Sequence, residues 1–105
     1  HPSGRLIHER KPLDLDMEKL MQAAAERHIH FEINSHPDRL DLDDAFCKLG
    51  KEIGIKMAVA TDAHSIDDLD LIRFGVGQAR RGWLEADDVI NTLPWEKLKK
   101  ELQRK

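Results

Sequence analysis

The sequence predicts a parallel α/β fold. Stretches whose apolar residues recur at helical spacing alternate with short runs of strand length, in units of about 25 residues each. The order read along the chain is strand end, helix, strand, helix, strand, helix, then further helices. One run, residues 55–61, is mostly apolar, as a parallel strand covered on both sides should be.

The chain has 105 residues, enough for one small domain and too few for two. An eight-fold β/α barrel takes about 250 residues, so a barrel reading makes this chain a piece of one. It begins with His1 rather than Met, which is consistent with a trimmed or excised product. Hydrophobic residues at 40% and charged residues at 35% suit a helix-rich α/β protein and argue against disorder. A formal net charge of −3 gives no general grip on nucleic-acid phosphates, so any such contact needs locally basic residues or bound cations. The single cysteine, Cys47, excludes a disulfide framework and a cysteine-based zinc motif. Its helical setting beside Phe46 and Leu49 makes it a small core residue. With no signal-peptide pattern and no apolar run near the roughly 18 residues of a membrane span, the expected location is cytoplasmic, without membrane contact.

Taken in order, His1-Pro2-Ser3-Gly4-Arg5 reads as the last residue of a strand running into a loop, because Pro and Gly exclude helix there. His8 is expected to be exposed. Helical spacing follows over residues 16–27, with Asp16 as N-cap and Met17, Leu20, Met21 and Ala24 on the core stripe. His28 at its end suits the negative pole of the helix. Residues 30–34 form a short strand whose Glu32 and Asn34 share one face and whose Phe31 and Ile33 share the other. In a barrel-type strand the first pair would look inward, toward a site. Ser35 to Arg39 is a turn, and the acidic run Asp41-Leu42-Asp43-Asp44 opens a helix carrying Leu42, Phe46, Leu49 and Ile53, ended by Gly54. After the strand at 55–61, Asp67 and Asp68 lead a helix with Leu69, Ile72, Val76 and Ala79 on one stripe. Gly75 and Gly77 there imply close packing or a bend. Arg80 to Leu84 closes it. Short helices are expected at 85–91 and 94–104, the last packing through Trp95, Leu98 and Leu102. Its other side is basic and solvated: Lys97, Lys99, Lys100, Arg104 and Lys105.

Chemistry concentrates at Thr61-Asp62-Ala63-His64-Ser65. In extended chain, residues two apart point the same way, so Asp62 and His64 would project together from a strand's carboxyl end. A carboxylate and an imidazole are ligand types that Zn, Mn and Fe accept, and that end of parallel strands is where α/β folds place chemistry. Asp-x-His is weak evidence when it stands alone, since an Asp closing a loop beside an exposed His gives the same pattern. Arg5 could hold a phosphate through its two-pronged guanidinium, and His36 and Arg39 lie in a turn where binding loops belong. Gly75-Val76-Gly77-Gln78-Ala79-Arg80 is no dinucleotide fingerprint, because it lacks the third Gly and follows a helical pattern.

Five motifs occur in sequence: His1-Pro2-Ser3-Gly4-Arg5-Leu6, Phe31-Glu32-Ile33-Asn34, Pro37-Asp38-Arg39-Leu40-Asp41-Leu42, Thr61-Asp62-Ala63-His64-Ser65 and Gly75 through Leu84. Together they resemble the carboxyl-terminal half of the PHP (polymerase and histidinol phosphatase) domain. More narrowly, they resemble that of bacterial and archaeal family X DNA polymerases, a branch favoured by Arg80-Arg81-Gly82-Trp83-Leu84 and Asn91-Thr92-Leu93-Pro94. The resemblance covers nearly all of residues 1–105. It implies half of a distorted β/α barrel, whose intact form holds up to three divalent metal ions such as Mn or Zn. His1, Asp62 and His64 match metal-ligand positions, Asp62 and His64 being the catalytic pair, and Arg5, Asn34 and Arg39 match phosphate-positioning residues. The remaining ligands of the family lie in an amino-terminal half that this sequence does not contain. The implied activity is metal-dependent phosphoester hydrolysis at DNA 3′ ends, in a module inactive without its other half. Two alternatives are a non-catalytic PHP module that props or regulates a polymerase, and a free-standing phosphatase of small phosphate monoesters. A cut barrel also implies open strand edges, which dimerisation or domain swapping would cover.

Overall fold

The computed structural model describes residues 1–103, so Arg104 and Lys105 of the expected basic face lie outside the described residues. The elements are α1 (Met17–Glu26), β1 (Phe31–Asn34), α2 (Asp44–Ile53), β2 (Met57–Ala60), α3 (Ile72–Arg81) and α4 (Trp95–Leu102). Single 3₁₀ turns occupy Asp67–Leu71, Ala86–Asp88 and Ile90–Thr92. The two strands pair in parallel, with Ile33 beside Val59 and Asn34 beside Ala60.

Helix boundaries follow the capping chemistry. Asp16 accepts from the Lys19 amide at the start of α1, and Asp43 accepts from the Phe46 amide at the start of α2. Gly54 ends α2 in the left-handed conformation, φ 102°, where a side chain would be strained. This ending also shortens β2 from the expected 55–61. The Ile55 amide donates back to Gly50 O, so it belongs to the helix end and not to a strand ladder. At the other end Asp62 turns the chain with φ 53°.

The core joins Met17, Met21 and Ala24 of α1 to Ile33, Leu42, Cys47, Met57, Val59 and Ala79. Several expected core residues lie outside it. Leu20 is exposed on α1, and the buried stripe of α3 is Gly75, Gln78 and Ala79, with Ile72 and Val76 on the outer side and Leu69 exposed before it. The rotation has a steric cause. A Cβ at Gly75 would stand 2.0 Å from Ser35 Oγ and 2.7 Å from Val59 Cγ1, so α3 crosses the sheet closer than any side chain permits. Trp95 and Leu102 are exposed too; α4 buries no residue, and Glu101 Oε1 stands 3.6 Å from His30 Nε2 at the base of β1.

Residues 1–5 form no strand. They are irregular chain held by Asp41, whose carboxylate accepts from Ser3 N (3.0 Å), Ser3 Oγ (2.8 Å) and Gly4 N (2.9 Å). Asp41 is fully buried and lies before the N-cap of α2, so the acidic run divides its labour: Asp43 caps the helix and Asp41 anchors the amino-terminal loop. The strand edges expected to be open are covered. Leu42 N donates to Glu32 O and Asp41 pairs with Asn34 on the outer edge of β1. On the outer edge of β2, the Asn91 amide accepts from Val59 N (2.8 Å) and donates to Val59 O (2.9 Å), and Val89 bridges Met57.

Three measurements test this account. Gly75→Ala should cost about 1–3 kcal/mol in urea unfolding through overpacking, whereas Gly77→Ala, whose Cβ meets nothing within 4 Å, should gain up to about 1 kcal/mol. Asp41→Ala should cost about 3 kcal/mol or more by leaving buried donors without an acceptor, and should speed hydrogen exchange at the Ser3 and Gly4 amides. Burial, reinforced by Asp43 and Asp44, pushes the Cys47 thiol up from 9.0 to about 12. The folded protein should therefore resist alkylation at neutral pH. Because the folded value is the raised one, that thiol's contribution to stability should be whole below about pH 9 and fade as pH climbs toward 12, read from the pH dependence of the urea midpoint.

Candidate functional site

The carboxyl ends of β1 and β2 and the clamped amino-terminal loop meet at one corner. Asn34, the last residue of β1 and fully buried, lies at its centre. Its Oδ1 accepts the His36 amide (2.9 Å), which turns Nδ2 toward His1 Nδ1 and Asp62 Oδ2, each at 3.3 Å. His1 Nε2 is 3.6 Å from Asp62 Oδ2. Glu32, on the same face of β1, accepts the His1 backbone nitrogen at 2.8 Å. The strand face expected to look toward a site thus meets His1 and Asp62, and Asn34 orients both instead of presenting itself to a ligand.

His64 does not join that pair. The alternation argument needs extended chain through Asp62, and the positive φ there breaks it. The His64 ring folds back instead, Nδ1 lying 2.7 Å from the Asp62 carbonyl oxygen, while its backbone N–H donates to Asp68 Oδ2 at 3.0 Å. That amide holds the half-buried Asp68 carboxyl below its usual range. Among the described residues, no three His, Cys, Asp or Glu side chains converge so as to hold one ion.

The three phosphate-positioning candidates also separate. Arg5 donates through Nε to Arg39 O (2.7 Å) and through Nη2 to Leu40 O, so its guanidinium fastens the turn at 36–40. Arg39 contributes only its carbonyl to that contact, and among the described residues its guanidinium forms no ion pair. Sequence reasoning missed Asp41 and Asn91. Asp41 had one available signal: with Asp43 serving as cap, a carboxylate two residues earlier is out of reach of the helix and needs another partner.

As a metal centre the corner fits in part. Asp62 and His1 supply an oxygen and a nitrogen donor from separate segments, where an ion needs about four to six donors. The Asn34 amide sets a further condition. A neutral His1 ring accepting at Nδ1 carries its proton on Nε2, so ligation through Nε2 requires that proton to move and the Asn34 contact to be remade.

No family model matches the chain. Over 91 residues, 87% of its length, it is 38% identical to the DNA polymerase/3′-5′ exonuclease PolX of Bacillus subtilis (strain 168), and it spans 16% of that protein.

Proposed function

We propose that this chain is the carboxyl-terminal part of a PHP-type phosphoesterase domain, in a protein that processes DNA 3′ ends beside a family X polymerase. The observation that carries the reading is the meeting of His1 and Asp62, 3.6 Å apart, at the carboxyl ends of two parallel strands. The 38% identity to a polymerase that bears a 3′-5′ exonuclease in its name supports the substrate class. Large apolar side chains left exposed, among them Ile66, Leu69, Phe74 and Trp95, agree with a half-domain whose remaining surface meets other elements.

In this reading His1 and Asp62 are two of the donors to a divalent ion such as Mn or Zn. His64, whose Nδ1 lies on the Asp62 carbonyl, keeps Nε2 as the nitrogen that could serve as a third donor, and other donors come from outside this chain. A bound ion would generate hydroxide from water at neutral pH and offset charge building on phosphorus. The chain's own residues supply orientation. Asn34 holds the carboxylate and, until an ion takes the ring, the imidazole in register, and the clasp of Ser3 and Gly4 on Asp41 keeps His1 within reach. Arg39 faces the phosphate, and Arg5 holds the turn that carries it.

The test is release of label from a 3′-labelled oligonucleotide in Mn by the intact parent protein, with the bound metal measured in parallel. Asp62→Asn should lower both metal content and rate by at least the roughly 10- to 100-fold that loss of an outer-shell partner costs, because Asp62 is a direct donor in this reading. The 105-residue chain alone should release nothing above background. A parent Asp62→Asn protein that cleaves and binds metal like the unaltered one would overturn the reading, and an unaltered parent that does neither would leave a PHP module that props or regulates the polymerase.

A further inference from the structure

The net charge of the chain is negative, yet its positive side chains are not evenly spread. Residues 6–10 form a tight loop closed by Leu6 and Arg10, each donating its amide to the other's carbonyl at 3.0 and 2.8 Å. The loop is tied to the neighbouring turn by Ile7 N donating to Asp38 O (2.7 Å) and by Arg5 on the carbonyls of Arg39 and Leu40. Loop and turn together carry Arg5, Arg10, Lys11 and Arg39 against two carboxylates, Glu9 and Asp38. Asp38 is itself partnered by His36, 3.7 Å away. The rest of the chain is correspondingly more acidic than its overall −3. Residues 5–12 line an open surface depression, and His8, Arg10 and Lys11 are exposed. The turn leads directly into the Asn34 corner through His36.

We propose that this loop, with Arg39, is a seat for the phosphate backbone of a single nucleic-acid strand, leading it past the loop toward the His1–Asp62 corner. The inference rests on the phosphoester reading and adds a binding surface to it. Arg5 is committed to carbonyl oxygens, which leaves Arg10, Lys11 and Arg39 to meet phosphates, with His8 beside them. Arg10 spends only Nε on Gly4 O, so the outer nitrogens of its fork remain available. Residues 5–12 include no Phe, Tyr or Trp, so recognition there is mainly of backbone and largely indifferent to base sequence. Three cations on a single strand imply that log affinity falls with log salt at a slope of about −2.

The test is fluorescence anisotropy of a labelled single-stranded oligonucleotide titrated with this chain in EDTA, from 20 to 200 mM salt, where a bound metal ion plays no part (about these salt limits screening length changes several-fold). Arg10→Gln with Lys11→Gln should weaken binding about tenfold or more at the low-salt end and flatten the slope by about 1.4. Lys11→Gln alone, at an exposed side chain that makes no hydrogen bond among the described residues, should flatten it by about 0.7 without touching the loop's backbone contacts. Neutralising Lys97, Lys99 and Lys100 on α4 should change nothing. Absence of binding, equal binding by the double variant, or loss of binding with the α4 variant would each overturn the seat. The metal reading is judged separately: hydrolysis that survives Asp62→Asn removes that reading, while salt-dependent binding through Arg10 and Lys11 still upholds the seat.

Discussion

A buried carboxylate, Asp41, is the constraint on which the arrangement depends. It lies outside the helix that its neighbours open and gathers Ser3 and Gly4 onto the outer edge of β1. Without that attachment the first residues are loop with no sheet to join, and His1 keeps only its own contacts to Glu32, Asn34 and Asp62. Burying a carboxylate is unfavourable unless its oxygens are satisfied, and three donors from one short segment do this together. The energetic need of one side chain therefore fixes the position of another, 40 residues away in sequence.

The second constraint is spacing. A sheet of two four-residue strands is too small to position much by itself. It is stiffened by the approach of α3, which lies over both strands at a distance only a glycine permits, with Ser35 and Val59 under Gly75. Gly82 serves likewise at the far end of that helix, where a Cβ would come within 2.5 Å of the Cys47 Cβ. Cys47 and Gly82 join α2 to the close of α3, and so brace the segment whose beginning carries Asp62 and His64.

Much of this was legible in the sequence. The cap at Asp16, the stop at Gly54, the burial of Cys47 and the helix end within Arg80 to Leu84 follow from local chemistry, which needs only a few neighbouring residues to act. The tightness at Gly75 was foreseeable because a glycine inside a helix asks for a reason. What escaped was decided by contacts distant in sequence. Periodicity alone put Ile72 and Val76 inward, but the close crossing at Gly75 turned them out. Apolar spacing marked Trp95 and Leu102 for a core that the described residues do not provide. The alternation rule aimed His64 beside Asp62, and one positive φ cancelled it. Asp41 and Asn91 act on backbone groups 30 or more residues away, so no window along the chain announces them.

The closure of β2 by Asn91 has a consequence for how the sheet can grow. A primary amide reproduces one peptide unit, so Val59 finds the donor and acceptor of a neighbouring strand in a single side chain. Such a substitute is held by two rotatable bonds and can swing aside without unravelling any ladder. An incoming extended segment would thus find its two hydrogen bonds already rehearsed at Val59, and its arrival would displace Asn91 and the Val89 bridge beside it.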